Sequence, residues 1–244
     1  MANFNRIVND VMREADIVLM ILDARNVEGS RNPEIEKKVK TFGKKLIYVI
    51  NKCDLLEDDE LKKIKLPDSV KMSAKNRMGT IKLMKKMMEV GKGKSVTIGV
   101  VGYPNTGKST VINSLKGKHS APSSSVSGFT KSLQKIRVSK NIMLIDTPGV
   151  FSYSAAEEKK NLGLISIGAI NPEKLKDPEE TAADLIMESK GKIEKFYGVK
   201  TYEDPYDALE EIAIKKKILK KGGIPDTKRL AMQLLKQYQS GKIR

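Results

Sequence analysis

The chain has 244 residues, 39% hydrophobic and 31% charged, a balance that fits one large domain or a medium domain plus a small one. The single cysteine, Cys53, excludes an intrachain disulfide or a cysteine metal cluster. The Ile17–Leu22 apolar run is far too short to cross a bilayer, and the N-terminus lacks a basic-then-apolar leader pattern, so a cytoplasmic location is expected. A net charge of +16 points to a polyanionic partner, whereas the absence of Trp and only 5% aromatics argue against a base-stacking platform.

Phe4, Ile7, Val8, Val11 and Met12 recur at helical spacing, so the chain opens with an amphipathic helix. A buried strand follows, Ile17–Leu22, ending in Asp23-Ala24-Arg25. Asn32-Pro33 reads as a helix cap and first-turn proline, for a helix reaching about Phe42. A second strand, Leu46–Ile50, delivers Asn51-Lys52-Cys53-Asp54 at its C-terminal end. After a charged helix, a short strand at 69–72 delivers Ser73-Ala74-Lys75, and the next helix carries Ile81, Met84 and Met88 on one face. The β-branched strand Val96–Val101 runs into Gly102-Tyr103-Pro104-Asn105-Thr106-Gly107-Lys108-Ser109 and a helix through Lys116. Ser120–Thr130 reads as a loop, and strands at 132–138 and 142–145, joined by a Lys-Asn turn, end in Asp146-Thr147-Pro148-Gly149.

Strands alternating with helices predict an α/β fold with a mostly parallel six-stranded sheet, helices on both faces, and ligands at the strands' C-terminal ends, where every motif falls. From about Asn171 the pattern is purely helical. Asn171-Pro172, Asp177-Pro178 and Asp204-Pro205 each read as a cap plus first-turn proline; Gly222-Gly223 stops one helix, and Asp226 or Thr227 caps the last. The expected domains are therefore 1–170 and a small, basic, all-helical 171–244.

The strand, glycine-rich turn and helix around Gly102–Ser109 form a phosphate-binding loop. Backbone N–H groups of Asn105, Thr106, Gly107 and Thr110 and the helix dipole favour phosphate oxygens. Lys108 reaches the β- and γ-phosphates, and the Ser109 hydroxyl takes one Mg²⁺ position. Thr130 is the expected second Mg²⁺ ligand, Asp146 holds the ion through water, and the Gly149 N–H meets the γ-phosphate. Lys108, Thr130 and Gly149 are thus the expected catalytic set.

A carboxylate at Asp54 can accept both guanine N1–H and N2–H, a pair that adenine does not offer. Lys52 lays its stem along the base, Asn51 ties this turn to the phosphate loop, and Ser73-Ala74-Lys75 presents the Ala74 N–H to guanine O6. His119, the one histidine, reads as a surface residue.

These motifs are those of P-loop GTPases in rotated order, base motifs first. The chain resembles the circularly permuted GTPases, and the YlqF/YawG-type ribosome-biogenesis GTPases in particular. Leu22-Asp23-Ala24-Arg25, Gly102-Tyr103-Pro104-Asn105, Ser127-Gly128-Phe129-Thr130-Lys131, Gly168-Ala169-Ile170, Gly222-Gly223-Ile224-Pro225-Asp226 and Gly241-Lys242-Ile243 carry that resemblance over nearly the whole chain. It implies binding and hydrolysis of GTP, with GDP and phosphate as products, and maturation of the large ribosomal subunit through rRNA contacts of the helical domain. The alternative is a GTP-dependent switch on another RNA such as tRNA. A peripheral membrane role is disfavoured because no amphipathic anchor or lipidation motif is present; a monomer is expected.

The first twenty residues hold none of the histidine that opens bacterial members of this family, and Thr106 replaces a small apolar residue. Val150 stands where signalling GTPases place a water-orienting glutamine, so unassisted hydrolysis should be slow. The resemblance implies a K⁺ ion held partly by Asn105 in place of an arginine finger. Lys215, Lys216, Lys217, Lys220, Lys221, Lys228 and Arg229 form the expected RNA-facing cluster, backed by Tyr206, Leu209, Ile212 and Ala213 as a buried face.

Overall fold

A computed structural model describes residues 2–116, 134–146, 168 and 170–243 of the chain. Strand β1 (Ile17–Asp23) is buried at all seven positions. Its alternating side chains feed two cores, as strand geometry requires. Ile17, Leu19 and Ile21 pack with Leu83 and Met87 of α5 (Thr80–Val90) and with Val111, Ile112 and Leu115 of α6 (Lys108–Lys116). Val18, Met20 and Leu22 pack with Val11 and Met12 of α1 (Ala2–Glu14) and with Ile35 and Val39 of α3 (Pro33–Thr41). Each such side chain contributes roughly 1.5–3 kcal/mol by leaving water.

Three further strands run parallel to β1: β2 (Lys45–Asn51), β3 (Ser69–Lys71) and β4 (Val96–Val101). With β5 (Gln134–Ser139) and β6 (Ile142–Asp146) they form a six-stranded sheet in the order β3-β2-β1-β4-β6-β5, in which β5 alone is antiparallel. The chain steps outward from β1 to β3, returns to place β4 on the other side of β1, and continues to β6. Strand order therefore reverses between β1 and β4, the position at which open α/β sheets leave a ligand crevice. Gly99 lets α1 approach β4: a Cβ there would lie 2.5 Å from Val11 Cγ1 and 3.1 Å from Ala15 Cβ. A four-residue helix, α2 (Val27–Ser30), leads toward α3, whose Asn32 cap accepts the Ile35 N–H at 3.0 Å; α4 (Asp58–Lys63) lies between β2 and β3.

The chain divides into two compact units, residues 1–156 and 157–244. The second contains α7 (Pro178–Glu188), α8 (Lys192–Tyr197), α9 (Pro205–Lys215) and α10 (Thr227–Gln239). Leu185, Ile186, Ile193, Leu209, Ile212 and Leu234 are buried in it. Asp177, Asp204 and Asp226 each accept first-turn N–H groups as caps.

Four details depart from the sequence expectations. Asn171-Pro172 starts one 3₁₀ turn, Pro172–Lys174, instead of a longer helix. Helix α9 stops at Lys215, well before Gly222-Gly223: Lys217 is left-handed (φ 54°), and the Ile218 and Lys217 N–H groups close on the Ala213 and Ile214 carbonyls. The two glycines instead turn a small hairpin bridged at Leu219 and Pro225. Ile81 and Tyr206 lie on outward faces and are exposed, because Leu83 and Met87, and Ala208 and Leu209, set the inward stripes.

Candidate nucleotide-binding site

The turn after β4 is shaped by two positive-φ glycines. Gly102 (φ +148) presses against β1, where a Cβ would lie 2.6 Å from the Ile21 carbonyl. Tyr103 is turned inward, and its hydroxyl accepts a hydrogen bond from Asn32 Nδ2 at 3.1 Å. Its carbonyl accepts the Thr106 hydroxyl at 2.9 Å and Lys108 Nζ at 2.8 Å. The unusual Thr106 thereby satisfies its own hydroxyl inside a fully buried position. Asn105 is exposed in the left-handed region (φ 60°), which asparagine tolerates. Ser109 and Thr110 are exposed in the first turn of α6, with the helix N-terminus behind them.

Asn51, at the end of β2 and almost fully buried, joins this turn to the adjacent strand ends. Its Nδ2 donates to the Thr106 carbonyl at 2.9 Å, and its Oδ1 accepts the Ala74 N–H at 3.0 Å. Gly107 (φ +94) makes room for it: a Cβ there would fall 2.3 Å from Asn51 Nδ2. The Ala74 N–H, expected to face guanine O6, is thus already engaged by Asn51. Ser73 is buried and accepts the Asn76 N–H, while Lys75 is exposed.

Lys52 adopts φ 64°, left-handed for a residue with a side chain. Its Nζ lies 2.8 Å from Asp23 Oδ2. Asp23 is fully buried directly across the register from Asn51 and is also gripped by Arg25, whose Nε donates to Oδ1 at 3.0 Å and whose Nη2 donates to Oδ2 at 2.8 Å. Burial by itself raises the Asp23 pKa, but the hydrogen bond and charge of Arg25, joined by Lys52, outweigh it and hold the carboxyl below its ordinary range. Burial is the main cause that lowers the Lys52 pKa; the charge and hydrogen bond of Asp23 oppose it, and repulsion from Arg25 adds a smaller lowering. Asp54 is half-buried in the 3₁₀ turn Cys53–Leu55. The Cys53 N–H donates to the Met72 carbonyl, fastening this turn to the end of β3, and burial pushes the thiol up.

Asn51, Lys52, Asp54, Ser73, Ala74 and Lys75 thus lie on two neighbouring strand ends, joined through Asn51 to the turn holding Asn105 to Ser109. Thr130 and Gly149 lie outside the described residues, as do Val150, His119 and the side chain of Asp146, whose backbone ends β6. The sequence reading assigns no role at this site to Asp23, Arg25 or Tyr103, and reads Asn32 only as a helix cap. In the helical unit, two of the seven expected RNA-facing cations are used internally. Lys215 Nζ donates to the Gly198 carbonyl and Lys216 lies over the Tyr197 ring at 5.5 Å. Lys217, Lys220, Lys221, Lys228 and Arg229 are exposed and form no salt bridge among the described residues.

A family model described as "50S ribosome-binding GTPase" matches residues 97–188. The uncharacterized GTP-binding protein MJ1464 of Methanocaldococcus jannaschii is 41% identical over 250 residues, covering 98% of this chain and 65% of its own length. Nucleolar GTP-binding protein 2 of Saccharomyces cerevisiae is 32% identical, covering 96% of this chain and 50% of its own. The chain therefore spans between about half and two thirds of the length of these relatives. The crystal structure of GNP-bound YlqF from T. maritima has the same fold, with a TM-score of 0.69 at 23% identity over 98% of this chain and 94% of that one.

Proposed function

We propose that the chain is a circularly permuted GTP-binding protein of the YlqF/YawG family, as its likeness to GTP-binding relatives over nearly its whole length and the shared fold support, and that it hydrolyses GTP to GDP and phosphate and assists maturation of the large ribosomal subunit. The carrying observation is the Asn51 bridge, which sets a guanine-reading turn at a fixed distance from a phosphate-binding loop. Asp54 accepts the guanine N1–H and N2–H, and Lys52 lies along the base. Phosphate oxygens meet the α6 N-terminus and draw Lys108 Nζ from the Tyr103 carbonyl it now contacts.

Two observations support a Mg²⁺ position at the loop: Ser109 stands exposed in the first turn of α6, and β6 ends at Asp146 beside β4. Ser109 and Thr130 would hold the ion directly and Asp146 through water. When bound, Mg²⁺ neutralises charge on the β- and γ-oxygens. Thr130 and the Gly149 N–H close on the γ-phosphate, and Asn105, an exposed amide at the loop tip, is the protein ligand for K⁺. Val150 cannot orient water, so the isolated protein turns over slowly and its partner supplies the acceleration. Chain continuity from Gly149 through Val150–Ile170 passes the γ-phosphate state to the helical unit. There Lys217, Lys220, Lys221, Lys228 and Arg229 bind rRNA phosphates. Among the described residues no helix is long and apolar enough to cross a membrane, and the protein acts as a cytoplasmic monomer.

GTP turnover with and without purified large subunits, in KCl and in NaCl at equal ionic strength, tests this reading. Slow turnover alone and stimulation by both the particle and K⁺ are expected. Equal rates with and without subunits would overturn the ribosomal part, and equal rates in the two salts would remove K⁺.

A further inference from the structure

We infer that Asp23 is a positioning residue for guanine selection: it clamps the Lys52 ammonium and so fixes the Asn51–Asp54 turn in the conformation that presents Asp54 to the base. The inference rests on the guanine-nucleotide reading above.

Lys52 is the residue between Asn51, held by two hydrogen bonds, and the 3₁₀ turn that carries Asp54. Its left-handed backbone is disfavoured for a side chain and persists only where surrounding contacts over-determine it. Asp23 supplies that contact from the neighbouring strand, directly across the register from Asn51, at 2.8 Å. The carboxylate cannot swing away. Arg25 holds both its oxygens, and Oδ1 also accepts the Arg25 N–H at 3.1 Å. The Asp23 N–H donates to Ser30 Oγ, whose hydroxyl in turn reaches the Asn26 and Val27 carbonyls. Asp23 is thus a rigid anion held by its own strand and loop, and Lys52 is the one contact it makes to the base-reading turn among the interactions described.

A carboxylate that only supported the fold would, on removal, weaken all nucleotides alike. One that positions Asp54 would instead erode discrimination at the base edge. GDP and IDP differ by the exocyclic N2 amine, one of the two donors assigned to Asp54, so their affinity ratio reads its placement. The ratio in the wild-type protein should be about 10- to 100-fold, the range for a hydrogen bond to a charged group. Asp23→Asn keeps the size of the side chain but removes its charge.

The experiment measures Kd for GDP, IDP and ADP by displacement of a fluorescent GDP, with thermal melting alongside. For Asp23→Asn the GDP/IDP ratio should fall to within about threefold. Should that variant not fold, because it leaves Arg25 without its anion, Asp23→Asn/Arg25→Gln removes both charges together; Lys52, partly exposed, can then turn to water. The double variant should lose the ratio, while Arg25→Gln alone keeps it. A ratio unchanged from wild type in a folded Asp23 variant overturns this inference and leaves the guanine reading intact. Wild-type protein that fails to prefer GDP over ADP overturns both.

Discussion

Asp54→Asn is expected to convert a guanine site into a xanthine site. The carboxylate accepts N1–H and N2–H together. An asparagine in the same place offers an NH₂ where guanine also presents a donor, and that donor pair repels. Xanthine carries a carbonyl at C2 and accepts from the new amide. The affinity for GTP should fall by on the order of 10⁴, the loss typical of a site built around hydrogen bonds that a ligand can no longer satisfy. XTP should gain correspondingly. The fold should survive, because Asp54 is half-buried and makes no salt bridge among the described residues. Displacement of fluorescent GDP by GTP and by XTP measures both arms. An unchanged GTP affinity would show that another group reads the base.

Asn51→Ala should have the largest structural effect of any substitution at the site. It strips the Thr106 carbonyl and the Ala74 N–H of their partners at positions where water has little access, Thr106 at 0% and Ala74 at 4% exposure. Each orphaned group costs about 1–3 kcal/mol. A total of roughly 2–6 kcal/mol would lower the melting temperature by about 4–24 °C for a chain of this size. Guanine-nucleotide binding should fall with it, because the base turn and phosphate loop are then no longer tied. Gly107→Ala approaches the same bridge from the other side: its Cβ collides with Asn51 Nδ2 and sits at a positive φ. It should therefore reproduce the binding loss. Asn51→Asp, which keeps the acceptor for Ala74 but repels the Thr106 carbonyl, should fall between. Normal melting and binding in Asn51→Ala would show that the bridge is dispensable.

Local chemistry made much of this legible in the sequence. Asn32, Asp177, Asp204 and Asp226 act as caps because a short acceptor before a helix has only first-turn N–H groups to bind. Strand β1 reads as buried, and the alternation of strands with helices predicts a mostly parallel sheet with the motifs at the strands' C-terminal ends. The tie from Asn51 to the phosphate loop was also readable, because a side chain with both a donor and an acceptor was needed at that strand end.

What stayed hidden depends on neighbours distant in sequence. The Asp23–Lys52 pair joins the end of β1 to the turn after β2, and Tyr103 meets Asn32 across 71 positions. Neither has a periodicity to betray it. Lys217 ends α9 in a conformation usually taken by glycine, so Gly222-Gly223 misled the helix boundary. Lys215 and Lys216 count as surface charge by composition, yet the Gly198 carbonyl and the Tyr197 ring occupy them. Ile81 and Tyr206 fit an apolar stripe by type but miss it by phase, since a helix buries only the face its neighbours cover.

The central claim is that nucleotide state governs engagement of the large ribosomal subunit. Sedimentation of the protein with purified large subunits, in the presence of a non-hydrolysable GTP analogue or of GDP and with tRNA as competitor, tests it most directly. The protein should pellet with subunits in the triphosphate state, release in GDP, and resist competition by tRNA. Equal pelleting in both states, or loss of the protein to tRNA, would contradict the account.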